Sequence, residues 1–213
     1  MKNFMRFIVT FAGILFLSHA IAADKVVVVP LFHSQDDALA PAAPVEKTGQ
    51  DICYNAAGVI IDCTGTGQDG ELQAGVDWPD PRFTDNGDGT VTDKLTGLIW
   101  TKTLSCISGD WQSSLDFCNA LATGTCGLTG SFVAGDWRLA NRYELLSLLD
   151  LSQYNPALPV GHPFTVNASS NYISSTTHDL SPASAWIVGI YSGTSGPGQK
   201  SGAWKGVCVR SSQ

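Results

Sequence analysis

The clearest structural signal lies in Phe83-Thr-Asp-Asn-Gly-Asp-Gly-Thr-Val-Thr-Asp-Lys-Leu-Thr-Gly-Leu-Ile-Trp-Thr-Lys102. Gly89 to Asp93 and Leu98 to Lys102 both alternate in the manner of β-strands. Lys94 to Gly97 link them and end in glycine, which is typical of a turn. The stretch therefore predicts a β-hairpin.

The acidic loop before this hairpin has two interpretations. Asp85 and Asp88 resemble ligands of a calcium loop, but an EF-hand needs Gly at its sixth position and Glu at its twelfth, and no frame supplies both. A tight glycine-rich turn is the favoured interpretation, and a calcium site at these two residues is the alternative.

Outside the hairpin, periodicity predicts two helices followed by strands. Asp110 is suited to cap a helix over 111–122, and Asn141 a helix over 142–149. Three further strands are predicted at 171–176, 185–191 and 204–210, with loops such as 192–202 between them. The pattern indicates an α+β domain.

The N-terminus has the features of a secretory signal peptide over residues 1–22. Lys2 and Arg6 precede the apolar run Phe7–Leu17, and Ala20-Ile-Ala22 is a small-x-small cleavage signature. The apolar run is short for a membrane span. We expect export without membrane insertion after cleavage.

Charge limits the partners that the exported chain can have. The formal charge of −7 becomes −9 once Lys2 and Arg6 are removed with the signal peptide. An acidic protein is a poor general binder of nucleic acid or anionic lipid. We therefore expect no nucleic-acid partner.

Residues 23–50 are predicted to be an extended leader and linker before a domain at 51–213. Lys25 to Phe32 form a β-prone run that could add a strand to a partner's sheet. Asp36 to Gln50 are rich in Ala, Pro and charge, as linkers are. A homo-oligomer formed through residues 23–50 is one structural hypothesis.

The six cysteines predict three disulfides, because an even number in an exported chain indicates an oxidised framework. No Cys-x2-Cys pair occurs and the histidines are scattered, which argues against zinc. Cys53 and Cys63 bracket a plausible turn and form the most secure pair. The residues alone do not choose partners for the others, which are Cys106, Cys118, Cys126 and Cys208.

Catalytic constellations are weak. His162 with Asp179 or Ser174 could suggest a triad, but no Gly-x-Ser-x-Gly elbow is present and Ser174 lies in a predicted strand. Glycoside hydrolysis needs two positioned carboxylates, and Glu144 on the second helix favours a surface or capping role. The sequence indicates a non-enzymatic protein without a cofactor.

An ordered set of motifs covers about Pro81 to Arg210. Its members are Pro81–Asp93, Leu95–Trp100, Gly135–Leu139, Asn141–Leu145, Asn155–Pro159, His162–Phe164, Ser174–Thr177 and Val209–Arg210. This set resembles the C-terminal domain family of the Legionella collagen-like protein, found in exported bacterial proteins. The resemblance implies a C-type-lectin-like fold variant, with two helices flanking a small twisted antiparallel β-structure and long disulfide-tied loops.

Further expectations come from this resemblance. Lectin-like domains commonly tie the first helix to the last strand, which implies Cys118–Cys208 and leaves Cys106–Cys126; local pairs of Cys118 with Cys106 or Cys126 are the alternatives. Relatives can be trimeric, and those with collagen-like stems are adhesins that bind sulfated polysaccharides. The absence of a Gly-x-y stem and the charge of −9 oppose carrying that specificity over.

Two residues depart from the family pattern. Ala140 stands where members often have Pro, and Ile173 where they often have Trp. If that Trp contacts ligand in relatives, the ligand of this chain differs.

The favoured hypothesis is an exported recognition domain, adhesin-like, that binds a glycan or protein ligand through its late loops. It would act outside the cell, at the cell surface or in the periplasm of a bacterium. There are two alternatives. The protein could have a structural role, or it could be a catalyst of the formylglycine-generating kind with a reactive thiol. Aromatic stacking and charge select the candidate contacts Tyr172, Tyr191, Lys200, Trp204 and Lys205.

Overall fold

The computed structural model describes residues 45–167 and 169–212. The predicted signal peptide, the Lys25–Phe32 run and most of the predicted linker lie outside the described residues. Within the described ranges, no helix has both the length and the apolar character needed to cross a membrane.

The compact unit begins earlier than the predicted start at residue 51. It runs from Pro44 to Gln213, and its first described residues make backbone contacts with the rest of it. Lys47 N donates to Val76 O, and Leu151 N donates to Thr48 O at 2.8 Å. Residues 45–50 therefore pack on the domain.

The architecture is mixed α+β and consists mostly of short strands. The helices are α1 (Asp69–Leu72), α2 (Trp111–Ala120) and α3 (Arg142–Ser147). The strands are β1 (Cys53–Tyr54), β2 (Ile60–Ile61), β3 (Phe83–Asp85), β4 (Thr90–Asp93), β5 (Leu98–Thr101), β6 (Ile107–Gly109), β7 (Arg138–Leu139), β8 (Asn171–Thr177), β9 (Ser184–Gly189), β10 (Thr194–Gln199), β11 (Trp204–Gly206) and β12 (Cys208–Ser211).

These strands form two five-stranded sheets and one small hairpin. The first sheet has the order β3-β4-β5-β12-β7, the second has the order β10-β9-β8-β11-β6, and β1 pairs with β2. The predicted hairpin is confirmed as β4 and β5, with Val91 opposite Trp100. The β-structure is larger than the resemblance implied, and β8 pairs with β11 in parallel.

Two predictions about the C-terminal region are wrong. The single strand predicted at 204–210 is broken at Val207, so that β11 and β12 belong to different sheets. The predicted loop at 192–202 contains β10, whose six residues all pair with β9. Local composition argues against a strand there, but tertiary pairing overrides it, and an edge strand tolerates Pro197.

Both predicted helices form, and each ends two residues early. Asp110 Oδ1 accepts a hydrogen bond from Ser113 N at 2.7 Å, which confirms the predicted cap of α2. Asn141 Oδ1 accepts from Glu144 N at 3.0 Å, and Glu144 Oε2 accepts from Asn141 N at 2.8 Å. This reciprocal capping box fixes the start of α3.

The buried residues form two clusters. The larger cluster packs α3 and residues of both sheets around Trp100, Tyr172 and Val188. The smaller one lies between α2 and the first sheet and includes Trp137 with the Cys118–Cys208 bridge. Because β11 continues through buried Val207 into β12, one short segment connects the two sheets.

The three disulfides are the Cys53–Cys63 pair predicted from the sequence and the two pairs that the family resemblance implied, not the local alternatives. Cys53–Cys63 closes the β1–β2 hairpin, Cys118–Cys208 joins α2 to β12, and Cys106–Cys126 joins the loop before β6 to the loop after α2. Their Cα–Cα distances are 5.2, 5.3 and 5.4 Å respectively, within the normal range for a bridge.

Candidate functional site

Tyr172 is a core residue and cannot serve as the predicted ligand contact. Its side chain is fully buried, and its hydroxyl donates to Asn167 O at 3.1 Å and accepts from Asn167 N at 3.2 Å. Burial raises the pKa of Tyr172 to about 12, although the hydrogen bond from Asn167 opposes that shift. The prediction failed because Tyr172 and Val188 pair on the core face of the sheet.

Tyr191 does reach the surface, and it does so with a partner that sequence reasoning missed. Tyr154 and Tyr191 pack edge to face with ring centroids 4.4 Å apart. The exposed fractions of these residues are 64% and 38%. Asn155 N donates to Tyr191 O at 2.9 Å, which brings the two loops together. No local sequence signal links residues 37 positions apart, so only the tertiary fold reveals this pair.

Trp204 is half-buried and held in one orientation. Its Nε1 donates to Gln199 O at 2.7 Å. A Cβ added at Gly198 would lie 2.8 Å from Trp204 Cζ2 and 2.7 Å from Ile187 Cγ2, and one added at Gly202 would lie 2.7 Å from Trp204 Nε1. The indole thus needs glycine at both positions, and its remaining surface is preorganised for contact.

The two candidate lysines differ in the contacts that hold them. Lys200 Nζ lies 3.9 Å from the centroid of the Trp111 ring and donates to Thr177 Oγ1 at 2.9 Å. Lys205 is half-buried, and its backbone lies between Ser108 and Tyr172 in the second sheet. Lys200 is therefore a fixed cation, close to the segment that carries Trp204.

The five predicted contacts do not form one cluster. Lys200 directly follows Gln199, to which the Trp204 indole is hydrogen-bonded. Tyr191 belongs to the separate pair with Tyr154, and Tyr172 is buried.

The acidic loop has the hydrogen bonds of a turn. Asp85 Oδ1 accepts from Gly87 N at 3.0 Å, and Asp88 Oδ1 accepts from Thr90 N at 3.0 Å. Lys102 Nζ lies 2.7 Å from Asp85 Oδ2, and hydrogen bonds from Lys102 and Gly87 lower the pKa of Asp85. The described residues contain no group of three His, Cys, Asp or Glu that could hold a metal ion.

The residues that suggested a catalytic triad are used elsewhere. Ser174 is buried; its Oγ accepts from Thr176 N at 3.2 Å, and its carbonyl accepts from Trp111 Nε1 at 3.0 Å. His162 packs near Phe164, and burial lowers the pKa of its imidazole. Within the described part of the chain, no hydrogen bond joins His162 to Ser174 or Asp179.

Comparison with known families identifies the domain that carries these features. The model of the Lcl C-terminal domain family matches residues 89–210, which is more than half of the chain and spans the β4–β5 hairpin to β12. The chain belongs to the Lcl C-terminal domain family. It has no match among proteins of curated function.

The structure explains both departures from the pattern of the Lcl C-terminal domain. Ile173 is fully buried, so this position makes no ligand contact in this protein. Ala140 is also buried, and its N donates to Val207 O at 3.0 Å. A proline lacks that donor, so the alanine permits a hydrogen bond at the junction between β11 and β12.

Proposed function

We propose that this Lcl C-terminal domain protein is an exported, non-enzymatic recognition domain with a C-type-lectin-like fold variant. It binds a glycan or protein ligand, in the manner of an adhesin, through the late loops between about residues 154 and 205. The observation that carries the proposal is the exposed Tyr154–Tyr191 pair, because each ring supports the orientation of the other while leaving much of its surface free. Rigid tyrosine rings are typical of binding surfaces.

The cationic and indole groups beside Gln199 support the same proposal. Lys200 is fixed by Trp111 and Thr177, and Trp204 is fixed by Gln199. Groups that are ordered before binding lose little conformational entropy when a ligand arrives. A ligand would meet tyrosine rings at one place and an indole with a lysine at another.

The sulfur chemistry supports a structural role for the cysteines. All six cysteines are paired in bridges. A catalyst of the formylglycine-generating kind needs a reactive thiol, so that alternative has no nucleophile among these residues. The three bridges instead close the β1–β2 hairpin, join the loops around α2 and tie α2 to β12.

A glycan array and a pull-down test the proposal with matched tyrosine variants. Tyr154→Ala and Tyr191→Ala should each weaken binding about threefold or more, as the loss of an aromatic contact predicts. Tyr54→Ala is the control, because Tyr54 is 44% exposed but lies on the β1–β2 hairpin. Equal binding by all three variants and the wild type, or no binding by the wild type, would contradict the proposal.

A further inference from the structure

One arginine of this domain differs from the others in its surroundings. The structure describes four arginines, and three have a carboxylate within 4.0 Å. Arg82 Nη2 lies 2.9 Å from Asp93 Oδ2, Arg138 Nη1 lies 2.7 Å from Glu144 Oε2, and Arg210 Nη1 lies 3.8 Å from Asp136 Oδ2. Among the described residues, the Arg142 guanidinium has neither a carboxylate at that distance nor a hydrogen bond.

Arg142 is nevertheless held in place. Its Cζ lies 3.6 Å from the centroid of the Trp186 ring, and its backbone N donates to Thr176 Oγ1 at 3.1 Å. The nearest acid along α3, Glu144, already accepts hydrogen bonds from Arg138 and Asn141. A stacked guanidinium with a fixed base is preorganised, and its planar donors match the two oxygens of a carboxylate.

A second unpartnered group lies against the same indole. The His178 ring centroid is 4.8 Å from that of Trp186, and His178 Nδ1 is buried without a hydrogen-bond partner, as is Arg142 Nε. Buried polar groups without partners are destabilising. A ligand that placed oxygens on both side chains would offset that penalty.

We propose that Arg142, Trp186 and His178 form a binding site for the carboxylate of an acidic sugar, such as a uronic acid. The proposal deepens the recognition role above, because it adds a charged contact on α3 and β9 to the tyrosine surface. A sugar acid suits the site better than an acidic peptide. Its ring hydroxyls donate as well as accept, and they can pair with the imidazole in either role.

A single carboxylate is also compatible with the charge of the protein. The net charge of −9 expected for the exported chain repels polyanions, but a monovalent sugar gains a local bidentate contact. The selectivity should thus favour a lone carboxylate over a heavily sulfated chain.

The test is an NMR titration of the full exported protein with sodium glucuronate, its methyl ester, glucose and an acidic peptide. Glucuronate should bind about tenfold or more tightly than the ester or glucose, because the ester removes the charge while the protein is unaltered. Arg142→Gln should weaken glucuronate binding by about the same factor, and Arg142→Lys should weaken it less, because it keeps the charge and loses the planar fork. Arg138→Gln removes an equal charge nearby and is the matched control.

Several outcomes would overturn the site. Equal binding of glucuronate and its ester would refute it even if the Arg142 variants did not fold. Equal weakening by Arg138→Gln and Arg142→Gln would assign the effect to long-range charge, and tighter binding of an acidic peptide than of glucuronate would reject the sugar. Failure here, with array binding still dependent on Tyr154 and Tyr191, would leave the proposed recognition function standing.

Discussion

The Cys118–Cys208 bridge should be the most stabilising of the three disulfides. It joins residues 90 positions apart, whereas Cys53–Cys63 joins residues 10 positions apart. In the chain-entropy model, closing these loops restricts the unfolded state by about 4.6 and about 2.7 kcal/mol respectively. The double variants C118A/C208A and C53A/C63A should therefore differ in free energy of unfolding by about 2 kcal/mol.

Packing increases the expected difference. Both Cys118 and Cys208 are fully buried in the smaller core cluster, beside Trp137 and Leu139. Truncating them to alanine leaves space that the surrounding side chains fill only in part. Cys53 is also fully buried, but its partner Cys63 is only half-buried, so the same truncation there removes fewer contacts.

Equilibrium unfolding in urea, without reductant, measures the difference. Each variant keeps two native bridges, and a thiol titration of the unfolded protein should find no free cysteine. If C118A/C208A were no less stable than C53A/C63A, with equal m-values, the reasoning from loop length and burial would be refuted.

Three further perturbations probe the framework. Burial raises the pKa of Glu144, but hydrogen bonds from the Arg138 guanidinium and the Asn141 N–H outweigh burial and lower the pKa below 4.5. Glu144→Gln should therefore reduce the free energy of unfolding by about 1 kcal/mol at pH 7. In urea titrations, this difference from the wild type should disappear as the pH falls through the lowered pKa. Gly198→Ala should destabilise the protein by about 1–3 kcal/mol through overpacking. Gly196→Ala is the control and should change the melting temperature little, because nothing lies within 4 Å of the added Cβ. Equal melting temperatures for the two variants would refute the claim that the Trp204 indole is held in one orientation. Ala140→Pro should cost about 1–3 kcal/mol because Val207 O loses its donor, and an unchanged thermal midpoint would contradict this.

Local patterns were sufficient for much of the framework. The β4–β5 hairpin follows from alternation and a glycine-ended turn, and the α2 and α3 caps follow from Asp110 and Asn141. These elements are determined by interactions between residues close in the chain, so they can be predicted directly from the sequence. The Cys53–Cys63 bridge is of the same kind, because a turn brings its ends together.

The division of the last strand between two sheets was not predictable in that way. Residues 204–210 read as one extended run, but Val207 is buried where Ala140 N reaches its carbonyl. Likewise, β10 is a strand because it pairs with β9, and local composition does not indicate the presence of a partner strand.

The candidate surface residues show most clearly the difference between what the sequence predicts and what the tertiary structure decides. Residue types were enough to select tyrosine, tryptophan and lysine as contacts, but which of them are exposed depends on the face of the sheet that each occupies. Tyr172 turns inward, whereas Tyr191 turns outward beside Tyr154. Among the described residues Arg142 has no acid within 4.0 Å, although Arg138 has one. Short-range chemistry thus determined the hairpin, the helix caps and the Cys53–Cys63 bridge, while the exposure of the surface residues and the strand and ion pairing were decided by contacts between residues distant in the chain.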